Sequence, residues 1–265
     1  MGVLNETGSY LRSTVEGAGF SLDLLVRTFV QSVHLPRKLR SLVDNMFAAG
    51  VKTIPVVVVV SVFAGMILAM QTGIELKRFG QESIIGNLVA LSMCREMGPF
   101  ITGLILAATV GSAIAAELGT MSVSEEILAL EVMSIDPVRY LVMPRVVALA
   151  LMCPLLTAFS DVLGIFGGGF VAQVHLGVTF PFYMDSVRDS LTDPTAALPK
   201  DLWSGMFKAW VFGVMIAVVG CSEGIRARGG ALGVGRAVQR AVITAFLLII
   251  ILGYIITWFF YFLLD

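Results

Sequence analysis

Few residues in this 265-residue chain are equipped for chemistry, and they do not cluster. Gly111-Ser112 and His175 supply a serine and a histidine for a hydrolytic dyad. Ser112 falls toward one end of an apolar run and His175 at the far end of the next, so the hydrogen bond that activates a nucleophile is not expected to form. Cys94, Cys153 and Cys221 make no CxxC pair and read as reduced packing residues, with no metal site. The run Gly229-Gly230-Ala231-Leu232-Gly233-Val234-Gly235-Arg236 has the glycine density of a phosphate-cradling loop. It lacks the GxxxxGK[ST] order and follows an apolar run instead of a parallel strand, which makes it a tight glycine turn. Asp161 and Lys208 each interrupt an apolar run, and an ionisable group in hydrocarbon is costly. Asp161 is therefore expected to face protein or a water-filled cavity and to bond a helix neighbour, and Lys208, near a helix end, to snorkel. A proton- or ion-coupled secondary transporter or channel is the alternative reading. It normally needs several buried ionisable groups along a path, and only Asp161 is deep.

The elements that must position these residues are membrane spans. The chain is 57% hydrophobic and 14% charged, with mean hydropathy +0.90, well outside the composition of a soluble domain. Apolar runs at Thr53–Ile74, Met97–Ala116, Val146–Val174, Leu202–Ser222 and Ala241–Leu264 are each long enough to cross about 30 Å of hydrocarbon as a helix. The fold class expected is all-α and polytopic, a single integral-membrane domain over 1–265 with spans near 53–74, 84–116, 138–174, 202–222 and 238–264. Five spans place the termini on opposite sides. Lys and Arg favour cytoplasmic loops. With the N-terminus inside, the inner segments hold twelve basic residues, Arg12 through Arg240, and the outer ones six. The aromatic cluster Trp258 to Phe262 suits an outer interface. The polar N-terminus shows no cleavable signal peptide. A net charge of -1 with dispersed basic residues gives no reason to expect nucleic acid.

Outside the spans, three segments carry structure of their own. In an interfacial helical region over 10–50, Phe20–Val33 sets Leu22, Leu25, Phe29 and Val33 on one face and Asp23, Arg27, Gln31 and His34 on another. Pro36 ends that helix, and Arg37 to Arg40 suit anionic headgroups. Docking of the helix against the bundle is the other possibility. Over 122–134, Ser122 and Glu125 fit a capping box, and Asp136-Pro137 provides the N-cap and first position of the next helix. So short a helix is marginal alone and must dock on something. Residues 178–200, polar and with Asp185, Arg188, Asp189, Asp193 and Pro194, are expected to form an exoplasmic helix and loop. Within the second span, Ala107, Gly111, Ala115 and Gly119 recur every four residues beside Ala108, Ser112 and Ala116, the pattern of close helix packing in lipid. Gly164, Gly167, Gly168 and Gly169 in the third imply the same or a bend.

Arg95-Glu96-Met97-Gly98-Pro99, Gly111-Ser112-Ala113 and Ala116-Glu117-Leu118-Gly119-Thr120-Met121 run on through Ser124-Glu125-Glu126, Asp136-Pro137 and Pro144-Arg145. With Pro154-Leu155-Leu156-Thr157, Gly164, Gly167-Gly168, Gly229-Gly230 and Gly233-Val234-Gly235-Arg236, they make the chain resemble the MlaE permease family over roughly Asn45 to Val242. The resemblance implies a homodimeric permease of an ABC transporter in the bacterial inner membrane, N-terminus cytoplasmic and C-terminus periplasmic. Separate ATPase subunits would bind ATP and Mg and energise it. This chain would hold no cofactor and be no enzyme. An MCE-domain periplasmic protein would sit outside, and the cargo would be phospholipid moved between inner and outer membranes, maintaining outer-membrane lipid asymmetry. It further implies that 122–134 is the coupling helix, with Glu125, Glu126, Leu130 and Met133 contacting the ATPase, and that Leu68, Leu76, Phe79, Arg95, Glu96 and Lys208 line a lipid cavity. A structural ion pair between Arg95 and Glu96 is the alternative reading of those two residues. The chain departs from the family pattern at Ala108-Thr109, where Gly-Arg is usual, and at Val238-Gln239, where Thr-Thr is common.

Overall fold

The computed structural model describes residues 2–31, 39–191 and 200–262, and side chains over 16–31, 39–191 and 201–262. Val33, His34, Pro36, Arg37 and Lys38, together with Asp193, Pro194 and residues 263–265 at the end of the fifth expected span, lie outside the described residues. The described residues are helical or in turns, without a strand. Five stretches are long and apolar enough to cross a membrane: Leu39–Arg78, Glu82–Val123, Val138–His175, Asp201–Ile225 and Gly230–Phe262. Their number, five, is the number of spans expected from the apolar runs. The chain is a multi-pass, all-α membrane protein.

In order the helices are α1 Gly2–Gln31, α2 Leu39–Gly50, α3 Ile54–Arg78, α4 Ile85–Ser92, α5 Gly98–Leu106, α6 Ser112–Val123, α7 Glu126–Val132, α8 Met143–His175, α9 Phe180–Leu191, α10 Lys200–Ile225 and α11 Gly230–Phe262. Single π-helical turns at Met93–Met97, Ala107–Gly111 and Val138–Val142 precede α5, α6 and α8. α10 and α11 are joined by Gly229 and Gly230 at φ 90° and 71°, left-handed values open to glycine, which gives the tight turn expected there. The helices form two compact units. One comprises residues 1–49, 107–149 and 214–247, and the other 50–106, 150–213 and 248–265.

In the second unit, α4 packs on α9 around Ile85, Val89, Ala90, Met93, Val171, Ala172, Tyr183 and Val187, all buried. Tyr183 donates its phenol to the Ile165 carbonyl (3.1 Å), and burial raises its pKa. The glycines of α8 make a close crossing with α3. A Cβ on Gly65 would fall 1.9 Å from the Gly164 carbonyl oxygen, and one on Gly167 would fall 2.5 Å from that of Val62. At the same crossing Ser61 and Ser160 share a buried hydrogen bond of 2.7 Å. Such proximity replaces the hydrophobic drive that lipid does not supply between helices. α8 runs unbroken as one helix from Met143 to His175, through Pro154.

In the first unit, the row Ala107, Gly111, Ala115 and Gly119 is buried, whereas Ala108 is exposed and Ser112 and Ala116 are half-buried. One small-residue face therefore packs, not two. It meets matching glycines on α10: a Cβ on Gly220 would lie 2.9 Å from the Gly111 carbonyl oxygen, and one on Gly224 would lie 2.8 Å from the Leu118 side chain. α1 docks through a face the hydrophobic pattern did not single out. Leu24 and Thr28 are buried, Ser21 donates to the Ser222 hydroxyl (2.8 Å), and Gly17 lies against Arg226. Leu22, Val26, Phe29 and Val30 stay exposed. The helix is thus two-faced, one side held by the chain and the other apolar and exposed.

Candidate functional site

Arg95 and Glu96 sit on the π-helical turn that opens α5, a distortion frequently found at functional sites. They do not pair with each other. Arg95 binds Asp201, with Nη2 2.7 Å and Nε 2.8 Å from Oδ1, and its guanidinium lies 4.3 Å over the centre of the Tyr261 ring. The Tyr261 hydroxyl donates to the same Asp201 oxygen. Glu96 accepts from Lys208, whose ammonium is 2.6 Å from Oε1 and 2.9 Å from the Arg95 carbonyl. The Thr257 hydroxyl is 2.9 Å from the same Oε1. Two cations and two carboxylates on α10 and the π turn are thus cross-tied by α11.

Glycine makes the approach possible. A Cβ on Gly205 would lie 1.9 Å from the Cys94 carbonyl oxygen, so only glycine lets α10 come this near the π turn. Lys208, less than one turn further along α10, then reaches Glu96 by its full length. It is 1% exposed and does not snorkel as expected, because a carboxylate within the protein meets its charge better than a distant interface. Arg95 and Glu96 keep 37% and 41% side-chain exposure, so they remain open to a charged group, whereas Lys208 acts from behind them.

Asp161 is buried, as expected of a carboxyl facing protein, but its Oδ1 bonds no neighbour. It fills the hollow left by the missing side chain of Gly98, where a Cβ would fall 1.7 Å from it. Of the apolar positions expected to line a cavity, Leu68 and Leu76 are half-buried against the α4–α9 core, and Phe79 caps the end of α3, 76% exposed. Arg95, Glu96 and Lys208 are brought together. Asp201, Thr257 and Tyr261 complete the network and were not singled out from sequence, although two unneutralised cations beside apolar runs demanded carboxylates.

The second feature is α7. It begins at Glu126, not Ser122, and the expected capping box does not form. Ser122 still belongs to α6 and donates to the Ile225 carbonyl (2.8 Å), while Glu125 takes the N-cap position in the left-handed region, φ 62°, without a side-chain cap. At the other end Ser134, also left-handed at φ 58°, donates to the Glu131 carbonyl (2.9 Å) and Ile135 to that of Leu130 (2.9 Å), a Schellman closure. Asp136 accepts from the Val138 amide (2.9 Å), the N-cap role read from Asp136-Pro137. Ile127 is buried and Leu130 half-buried, so the chain-facing side of α7 is narrow. Leu128, Val132 and Met133 are 55%, 79% and 61% exposed, beside exposed Glu125 and Glu126. Ser112 donates to the Ala108 carbonyl (2.6 Å), inside its own helix.

The family model described as Permease MlaE matches residues 42–259. A probable ABC transporter permease protein of Rickettsia conorii is 39% identical over 256 residues, 96% of each chain. The chloroplastic protein TRIGALACTOSYLDIACYLGLYCEROL 1 of Arabidopsis thaliana is 36% identical over 222 residues, 84% of this chain and 62% of that protein. The intermembrane phospholipid transport system permease protein MlaE of Haemophilus influenzae is 30% identical over 240 residues, 91% of this chain and 89% of that one. The family model covers most of each of the five membrane-length stretches, Arg95, Glu96, Asp201, Lys208 and Thr257 of the charge network and all of α7, and the chain is a member of the MlaE permease family.

Proposed function

We propose that this chain is the membrane-spanning subunit of an ABC transporter that moves phospholipid between the inner and outer membranes of a bacterial envelope. In this reading it works as a homodimer in the inner membrane, N-terminus cytoplasmic and C-terminus periplasmic, with an MCE-domain protein on the periplasmic side. Separate ATPase subunits bind ATP and Mg and hydrolyse it. The kinship with permeases named for ABC and intermembrane phospholipid transport supports it.

The observation that carries the reading is α7. A seven-residue helix cannot persist on its own, yet this one is closed at both ends by fixed backbone geometry and leaves three large apolar side chains in the open. Such a helix transmits force without bending. ATPase subunits seated on Leu128, Val132 and Met133, flanked by Glu125 and Glu126 and backed by Leu130, would pass their closure to the spans. Arg95 and Glu96, still partly open, would meet the headgroup, with Lys208 behind them and Leu68, Leu76 and Phe79 offering apolar surface to acyl chains.

Affinity purification of the tagged protein in mild detergent, with mass spectrometry of bound proteins and lipids, tests this. An ABC ATPase, an MCE protein and phospholipid are expected. Recovery of a lone subunit from several detergents overturns the assembly and favours an autonomous transporter. Val132→Asp should release the ATPase and leave the permease folded.

A further inference from the structure

A cleft apart from the charge network lies in the unit of residues 1–49, 107–149 and 214–247. About 210 Å³ in volume, it is lined by Ser41, Asn45, Tyr140, Leu141 and Arg145. Arg145 is 7% exposed. Its Nη2 meets Glu117 at 2.9 Å and its Nη1 donates to the Leu141 carbonyl at 2.9 Å, while its buried Nε has no partner. Glu117 is itself 62% exposed, so water weakens its hold on the buried cation. Among the described residues, no carboxylate lines the cleft. Two hydroxyls, an amide and a guanidinium do, a set that favours an oxygen-rich anion.

The cleft's place along the helices identifies the source of that anion. Ser41 and Asn45 lie in the first two turns of the membrane-length stretch Leu39–Arg78, and Tyr140, Leu141 and Arg145 in the first two turns of Val138–His175. Both stretches exceed what about 30 Å of hydrocarbon requires, which leaves these opening turns at headgroup depth. The volume falls below the roughly 300 Å³ at which pockets accept larger molecules, so it suits a headgroup and excludes acyl chains.

We propose that this cleft binds the phosphate of a bilayer lipid headgroup, holding a lipid at the opening turns of Leu39–Arg78 and Val138–His175, on residues other than Arg95 and Glu96. Native mass spectrometry of the full-length protein, delipidated in detergent and titrated with dioleoyl phosphatidylglycerol, dioleoylglycerol or inorganic phosphate, tests it. Phosphatidylglycerol should bind and dioleoylglycerol, which lacks phosphate, should not. Ser41→Leu, which fills the cleft and leaves the Arg145–Glu117 pair intact, should weaken retention about tenfold or more, the loss expected when contact with a charged group is removed. Arg145→Gln should do the same, and Ser41→Leu keeps the test valid if that variant does not fold. Inorganic phosphate bound with the same sensitivity to Ser41→Leu assigns the site to free phosphate and overturns the lipid source. Equal binding of phosphatidylglycerol and dioleoylglycerol, or wild-type retention in Ser41→Leu, overturns the site.

Discussion

Removing Glu96 should harm the protein more than removing its partner Lys208, although the two form one ion pair. In Glu96→Ala the Lys208 ammonium, 1% exposed, keeps a single acceptor, the Arg95 carbonyl at 2.9 Å. Stranding a buried charge costs about 3–5 kcal/mol. In Lys208→Met the stem is replaced by an apolar chain of similar length, and the carboxylate left behind is 41% exposed and within 2.9 Å of the Thr257 hydroxyl. Water and that hydroxyl compensate it, so the loss should be about 1–2 kcal/mol. The double variant Glu96→Ala/Lys208→Met strands neither group and should recover about 1.5–3 kcal/mol relative to Glu96→Ala. Reversible unfolding in mixed micelles of dodecylmaltoside and sodium dodecyl sulfate, followed by circular dichroism, measures all three. A loss in Lys208→Met as large as that in Glu96→Ala, or no recovery in the double variant, would refute the assignment of Lys208 as the fully buried partner.

The same unfolding assay tests three further expectations. Gly205→Ala and Gly65→Ala each place a Cβ 1.9 Å from a backbone carbonyl oxygen and should cost about 3 kcal/mol or more, whereas Gly235→Ala, with open space around it, should be neutral or stabilising. Ser134→Gly relieves a left-handed backbone at the closure of α7 and should stabilise by about 0.5–1 kcal/mol, while Ser134→Val should destabilise. Asp161→Asn loses no hydrogen bond at Oδ1 and should be tolerated within about 1 kcal/mol, where Gly98→Ala should not.

The five spans were legible because hydrocarbon imposes a one-dimensional rule: every span must be apolar and about twenty residues long, and local composition reports both. Short helices at the ends of spans were legible for another reason. Asp136-Pro137 and Gly229-Gly230 act within three or four residues of themselves, so their neighbours in sequence are their neighbours in space. Ser122 shows where this reasoning fails. Its spacing to Glu125 is right for a capping box, but the Ile225 carbonyl, 103 residues away, lies within 2.8 Å and takes the hydroxyl first.

Sequence by itself determined that the chain is a polytopic α-helical membrane protein, that its motifs, Arg95-Glu96 among them, are those of the MlaE permeases, and that Asp161 and Lys208 carry unusual charge for their setting. Tertiary structure alone decided who answers those charges. Asp201 for Arg95, Glu96 for Lys208 and the unpartnered hollow for Asp161 follow from helix crossings set by Gly205 and Gly98. It also turned Leu24 and Thr28 of α1 inward and left Leu22 and Phe29 outside. The physical reason is that a span's cost in lipid depends on its composition, whereas an ion pair or a buried face depends on distances between residues a hundred positions apart, which backbone contact sets and composition does not record.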